Sequence, residues 1–159
     1  MGSGTKQRTV GVVGDTHADA TLMGRTEMFV EHFHGIDAVT PSMGLGVLLA
    51  SSALAWTLGD FAVLVATNAI AGDFDFHWLN IEDASANGVY ELVFYAGADA
   101  SEVEIGRKRF VRETNKAARA GLQIMTPLLD ANTQVKVKLA SSNAVADTAR
   151  ISVDYHTYD

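Results

Sequence analysis

Residues 73–97, DFDFHWLNIEDASANGVYELVFYAG, contain two apolar runs of strand length separated by turn-forming residues. In the second run Tyr90, Leu92 and Phe94 share one face while Val89, Glu91, Val93 and Tyr95 share the other, the period of two that a pleated strand imposes. In the first run Phe74, Phe76 and Trp78 alternate with Asp75, His77 and Leu79. The connection Glu82–Gly88 ends in Asn87-Gly88, the dipeptide that most readily supplies positive φ in a tight turn. The stretch therefore reads as a β-hairpin at the centre of an all-β domain.

The rest of the chain supports that class. Gln134–Ala140 is the cleanest strand, with Val135, Val137 and Leu139 inward and Gln134, Lys136 and Lys138 outward. Ala149–Tyr158 sets Ile151, Val153 and Tyr155 against Ser152, Asp154 and His156. Glu102–Arg112 brings Val103, Ile105 and, across a bulge at Gly106, Phe110 toward the core. Gly46–Val65 has helical alanine and leucine content, yet Leu54, Trp56 and Leu58 alternate with Ala55 and Thr57. Two strands punctuated by Gly59-Asp60 are expected there. Glu27–Phe33 predicts a further strand, ended by Thr40-Pro41-Ser42, whereas Arg112–Leu122 reads as a short helix or a charged loop. Pro127 makes Ile124–Leu129 a sheet edge or strand end. About eight strands with scarcely any helical material predict an antiparallel β-sandwich or jelly roll over residues 26–159, preceded by an N-terminal arm or long loop over residues 1–25.

At 159 residues the chain is long enough for one domain with a real core. Its net charge of −7 disfavours nucleic acid as a partner, because phosphate binding needs a concentrated basic surface. The absence of cysteine removes disulfides, thiolate nucleophiles and cysteine-ligated zinc. Every apolar run falls well short of the ~20 residues of a membrane span, and the first residues, MGSGTKQRTV, lack a hydrophobic leader. The expectation is a soluble chain with no membrane partner.

Several motifs touch on chemistry, each with a plainer reading. Val10–Asp19, VGVVGDTHAD, resembles the first metal-binding motif of calcineurin-like metallophosphoesterases through Gly14, Asp15 and His17, with an echo at Gly59-Asp60. That family grips two metal ions with carboxylate and imidazole ligands to activate water. No Gly-Asn-His follows, so a polar arm is the better account. Glu31, His32 and His34 hold two histidines on one strand face at a chelating spacing, against the plainer alternative of solvent-facing or interfacial side chains. His77 and His156 are isolated in sequence and read as structural. Asp73, Asp75, Glu82 and Asp83 lack the spacing of a calcium loop and read as a solvated acidic rim. Arg107, Lys108, Arg109 and Arg112 form the basic concentration, read as a salt-bridging surface toward an acidic protein. None of these is assigned a catalytic, cofactor-binding or metal role, and no cofactor is expected.

In order along the chain, Trp56-Thr-Leu-Gly-Asp-Phe61, Tyr90–Gly97, Ser101–Arg107, Ile124–Pro127, Ala131-Asn132, Lys138–Ser142 and Tyr155–Tyr158 resemble small β-sandwich virion proteins of tailed bacteriophages. The resemblance is to the head-associated, capsid-decorating type. It implies a non-enzymatic protein that assembles with itself, often as a homotrimer, and clamps major capsid protein subunits on the outer shell of the virion after synthesis in the host cytoplasm. A tail-fibre or receptor-binding head domain is the alternative. Trp56, Trp78, Tyr90, Tyr155 and Tyr158 are the aromatic anchors to place in either core or interface.

Overall fold

A computed structural model describes residues 38–42, 44–114 and 121–158, all within the compact unit Asp37–Asp159. The arm expected over residues 1–25 and the strand expected over 27–33 lie outside the described residues, as does most of the segment read as helix or charged loop. Among the described residues there are nine strands and no helix: β1 (Ala38–Thr40), β2 (Val47–Ala50), β3 (Ala62–Val65), β4 (Asp73–Ala84), β5 (Gly88–Ala96), β6 (Val103–Arg112), β7 (Leu122–Gln123), β8 (Val135–Ser141) and β9 (Thr148–Tyr158). They form two antiparallel sheets. One runs β1-β9-β4-β7, with β2 also pairing β9; the other runs β3-β8-β5-β6. The result is a sandwich-like all-β fold.

Phe74, Phe76, Leu79 and Ile81 of β4, with Ile151 and Val153 of β9, share one buried cluster with Tyr90, Leu92 and Phe94 of β5 and Val135, Val137 and Leu139 of β8. Phe76 and Phe94 meet edge to face between the sheets, with ring centroids 6.4 Å apart. Tyr90 stacks on Phe110 at 5.0 Å and satisfies its buried hydroxyl by donating to the Ala86 carbonyl. Burying each large apolar side chain contributes about 1.5–3 kcal/mol.

The central hairpin does not form. β4 and β5 belong to different sheets, and the linker 85–87 crosses between them. Neither Asn87 nor Gly88 has positive φ. A Cβ at Gly88 would sit 3.0 Å from Asn143 Nδ2 and 3.2 Å from Ser142 Oγ, so a larger residue there would press those two side chains back by a few tenths of an ångström. The physical reason lies in the apolar faces. In one sheet both runs would need cover from elsewhere, whereas on opposite sheets they cover each other. The true hairpin is β5–β6, whose loop carries Gly97 at φ 119° and Ala100 at φ 66°.

β4 departs from simple alternation at two register shifts, between Phe76 and Trp78 and between Ile81 and Asp83. Each bulge resets parity, so Phe74, Phe76, Leu79, Ile81 and Ala84 face inward and Trp78 faces out. In β6 the register shifts beside Gly106, as expected there, but Val103 is exposed rather than core. The strand expected around Leu54–Leu58 is instead an irregular crossing from β2 to β3.

Candidate interaction surface

The β2–β3 crossing folds back against the outer face of the four-stranded sheet. Trp56 N–H donates to the Ser141 carbonyl at 2.7 Å and Gly59 N–H to that of Leu139 at 2.9 Å, so residues 56–59 run beside β8. The approach is close. A Cβ on Gly59 would lie 2.0 Å from the Ala50 carbonyl oxygen, which accounts for glycine in the Gly59-Asp60 pair without metal chemistry. Trp56 holds φ 59°, a left-handed conformation rare for a large side chain, while remaining half-exposed.

Register places Lys136, Tyr95 and Glu104 in one outward row, Lys138, Val93 and Arg107 in the next, and Ala140, Glu91 and Arg109 in a third. The crossing covers part of this face with two rings. Arg109 lies over Trp56, 5.2 Å from the ring centroid, and Lys138 Nζ lies 4.1 Å above Phe61. Phe61 also meets Tyr95 edge to face at 5.1 Å. Beneath this cover Val93 and Ala140 are buried although they stand outside the core between the sheets.

Lys136 is the sharpest departure from the sequence reading: its parity is outward, yet it is 4% exposed. Its ammonium bonds to Asp99 and, at 2.7 Å, to Glu102, both of the β5–β6 loop. The bond to Asp99 and then that to Glu102 raise the lysine above its ordinary pKa, and the lysine in turn lowers both carboxylates. Around Arg107, hydrogen bonds to Glu104 at 2.6 and 2.8 Å raise its pKa and lower that of Glu104. Glu91 bridges Arg107 and Arg109 at 3.4 and 2.8 Å. The basic concentration is thus largely answered by acids of the same chain, which reduces its pull on an acidic partner.

Five of the eleven exposed large apolar side chains among the described residues lie at the same corner. Leu48, Leu54, Trp56, Phe61 and Val63 belong to β2, the crossing and the start of β3, with Leu54 reaching 67% exposure. A groove of about 460 Å³ between the two strands is lined by residues 48–52 and 58–62, with Asp60 its charged member.

The remaining candidates fall elsewhere. Gly14, Asp15, His17, Glu31, His32 and His34 lie outside the described residues. His77 and His156 are brought together on neighbouring strands with ring centroids 4.6 Å apart. His77 Nε2 lies 2.8 Å from Asp75 Oδ1, and Asp75 is opposite His156 in register. No sequence signal could have joined positions 77 and 156, because strand register alone makes them neighbours. Asp73 and Asp75 stand at one end of β4, Glu82 and Asp83 at the other, roughly 23 Å away at strand rise, so they share no ion site. Asp73 accepts from Ala131 N–H and Glu82 from Gly46 N–H. Among the described residues no group of three His, Asp or Glu is placed to hold a metal. Of the five aromatic anchors, Tyr90 is core and Tyr155 packs against it; Trp78 and Tyr158 are half-buried, and Trp56 stands half-exposed on this surface.

No protein-family model matches the chain, and no curated protein is similar to it in sequence.

Proposed function

We propose that the chain is a non-enzymatic structural protein of a bacteriophage virion, a decoration or cement protein that binds the outer capsid surface. The observation that carries this reading is the group of exposed apolar side chains at Leu48, Leu54, Trp56, Phe61 and Val63, five of the eleven such side chains among the described residues, at one corner of the two-sheet scaffold. Such a patch suits burial against protein. The sequence resemblance supplies the partner class, major capsid protein, and the expectation of a jelly-roll homotrimer with an N-terminal arm over residues 1–25. Several modest contacts made by one oligomer would stabilise the shell through effective concentration.

The test is co-sedimentation of the purified protein with undecorated shells of the virus that encodes it, with light scattering to count subunits. Saturable binding at a fixed ratio to capsid subunits is expected, weakened by Trp56→Ser. Shells that leave the protein in the supernatant at all concentrations overturn the reading. A second reading, a receptor-binding head domain for cell-surface sugar, draws on the groove where Phe61 and Asp60 stand side by side. It requires saturable binding to host cells.

A further inference from the structure

We infer that β3 is a self-association seam, pairing antiparallel with β3 of a second copy across a two-fold axis to join two four-stranded sheets into one. The inference rests on strand edges and not on the capsid reading; a two-fold seam closes as a dimer and so replaces the homotrimer that the sequence resemblance implies.

A sheet edge presents unpaired backbone N–H and C=O groups, and proteins that stay monomeric blunt such edges with charge, brevity or cover. The four-stranded sheet ends in β6 on one side and β3 on the other. β6 is guarded by Glu104, Arg107, Lys108, Arg109 and Arg112. β3 is Ala-Val-Leu-Val, with no charge and no proline, and among the described residues no strand pairs with its far side. In the other sheet the edges β1 and β7 are also free of charge but only three and two residues long. The remaining charge-free edge, β2, lies across the groove from β3. Its start is tied down, with Gly46 N–H donating to Glu82 and Gly46 C=O accepting from Arg150.

The occupant follows from self-complementarity. The register of β3 on β8 shifts between Val63 and Val65, so the regular part of the edge is Ala62–Val63 with the extended residues leading into it. A two-fold axis at Ala62 sets Phe61 of one copy opposite Val63 of the other, twice by symmetry. These are aromatic and β-branched side chains on the outer face, a favourable cross-strand pair. Both are exposed in the single chain, Phe61 at 39% and Val63 at 46%. Like charges stay apart. The two Asp60 residues fall four positions from each other along the seam, roughly 14 Å, and the two Lys138 residues are separated by three strand spacings, again roughly 14 Å. Both separations exceed the ~8 Å screening length at physiological salt. The joined outer face then carries Phe61 and Val63 from both copies, flanked by each copy's Trp56.

The test is sedimentation velocity on the full chain over a hundredfold concentration range, with Val63→Lys and Val111→Lys compared. Both positions are exposed valines on edge strands of the same sheet, so the second variant controls for a surface lysine as such. Wild type is expected to form a dimer, Val63→Lys to raise the dissociation constant at least about tenfold, and Val111→Lys to leave it unchanged. Hydrogen exchange supplies a second readout: amides of residues 61–65 gain protection as the dimer forms and lose it in Val63→Lys. A wild type that is monomeric throughout overturns the proposal. So does a trimer that Val63→Lys leaves intact, or an equal effect of the two variants. Loss of dimer with capsid binding retained would sever the seam from shell attachment, whereas a sound dimer that ignores capsids would overturn only the capsid reading.

Discussion

β8 serves two packed layers of opposite character, and the contrast shows how one strand supports both a fold and a surface. Its inward side chains, Val135, Val137 and Leu139, are wholly buried in an apolar interior between the sheets. Its outward side chains, Lys136, Lys138 and Ala140, lie in a second layer covered by Trp56 and Phe61. The first layer is held by burial of apolar area, which requires only shape and hydrophobicity. The second is held by cations over rings and by ion pairs, which require particular partners. Substitutions should therefore be costly and chemistry-blind in the first layer, and smaller but partner-specific in the second.

The largest effect is expected from Leu139→Ala. It removes a fully buried side chain from the inner layer and should lower unfolding stability by about 2–5 kcal/mol, read as a drop in denaturant midpoint at unchanged slope. A loss below 1 kcal/mol would erase the distinction between the layers.

Next is Lys136→Met, which keeps the stem and removes the charge that answers Asp99 and Glu102. A midpoint drop smaller than for Leu139→Ala but clearly larger than for Lys138→Met is expected, because no carboxylate is bonded to Lys138 among the described residues. The same variant carries a pH signature. Asp99 and Glu102 are lowered in the folded protein, so their pairing stabilises above the ordinary carboxylate range, around pH 4, and is lost as pH falls through their lowered values. Lys136 is raised, so its share is complete below about pH 10 and is lost only in stronger alkali. The midpoint of wild type should fall more steeply below about pH 4 than that of Lys136→Met. Parallel curves would mean that the ion pairs contribute nothing.

Phe61→Ala should cost about 1–2 kcal/mol, since the ring is partly exposed but lies beneath two lysine ammonium groups. The smallest effect separates Trp56→Gly from Trp56→Ala. Both lose the contact with Arg109, but glycine accepts φ 59° without strain, so it should be the more stable by about 1 kcal/mol. Equal midpoints would show that the left-handed backbone at Trp56 costs nothing.

Much of this was legible from period two. Tyr90, Leu92 and Phe94 on β5, Val135, Val137 and Leu139 on β8, and Ile151 and Val153 on β9 face the core as their alternation predicts. The reading faltered where the chain breaks the pleat. On β4 two bulges reset the parity, and nothing in DFDFHWLNIEDA marks where an extra residue will be accommodated. At the interaction surface only the composition was visible. Trp56 and Arg109 are far apart in sequence, and their contact depends on the crossing running beside β8.

The sequence by itself determined that the described residues are all-β, that the long runs of β4, β5, β6, β8 and β9 are strands, and which side chains of the regular strands turn inward, because alternation is a local property of an extended backbone. The tertiary structure decided the rest: that β4 and β5 part into opposite sheets, that His77 meets His156, and that an outward lysine at position 136 is buried. Each of these depends on strand partners brought together from distant positions, and a choice of partner is made by the joint burial of whole apolar faces, which no local pattern contains.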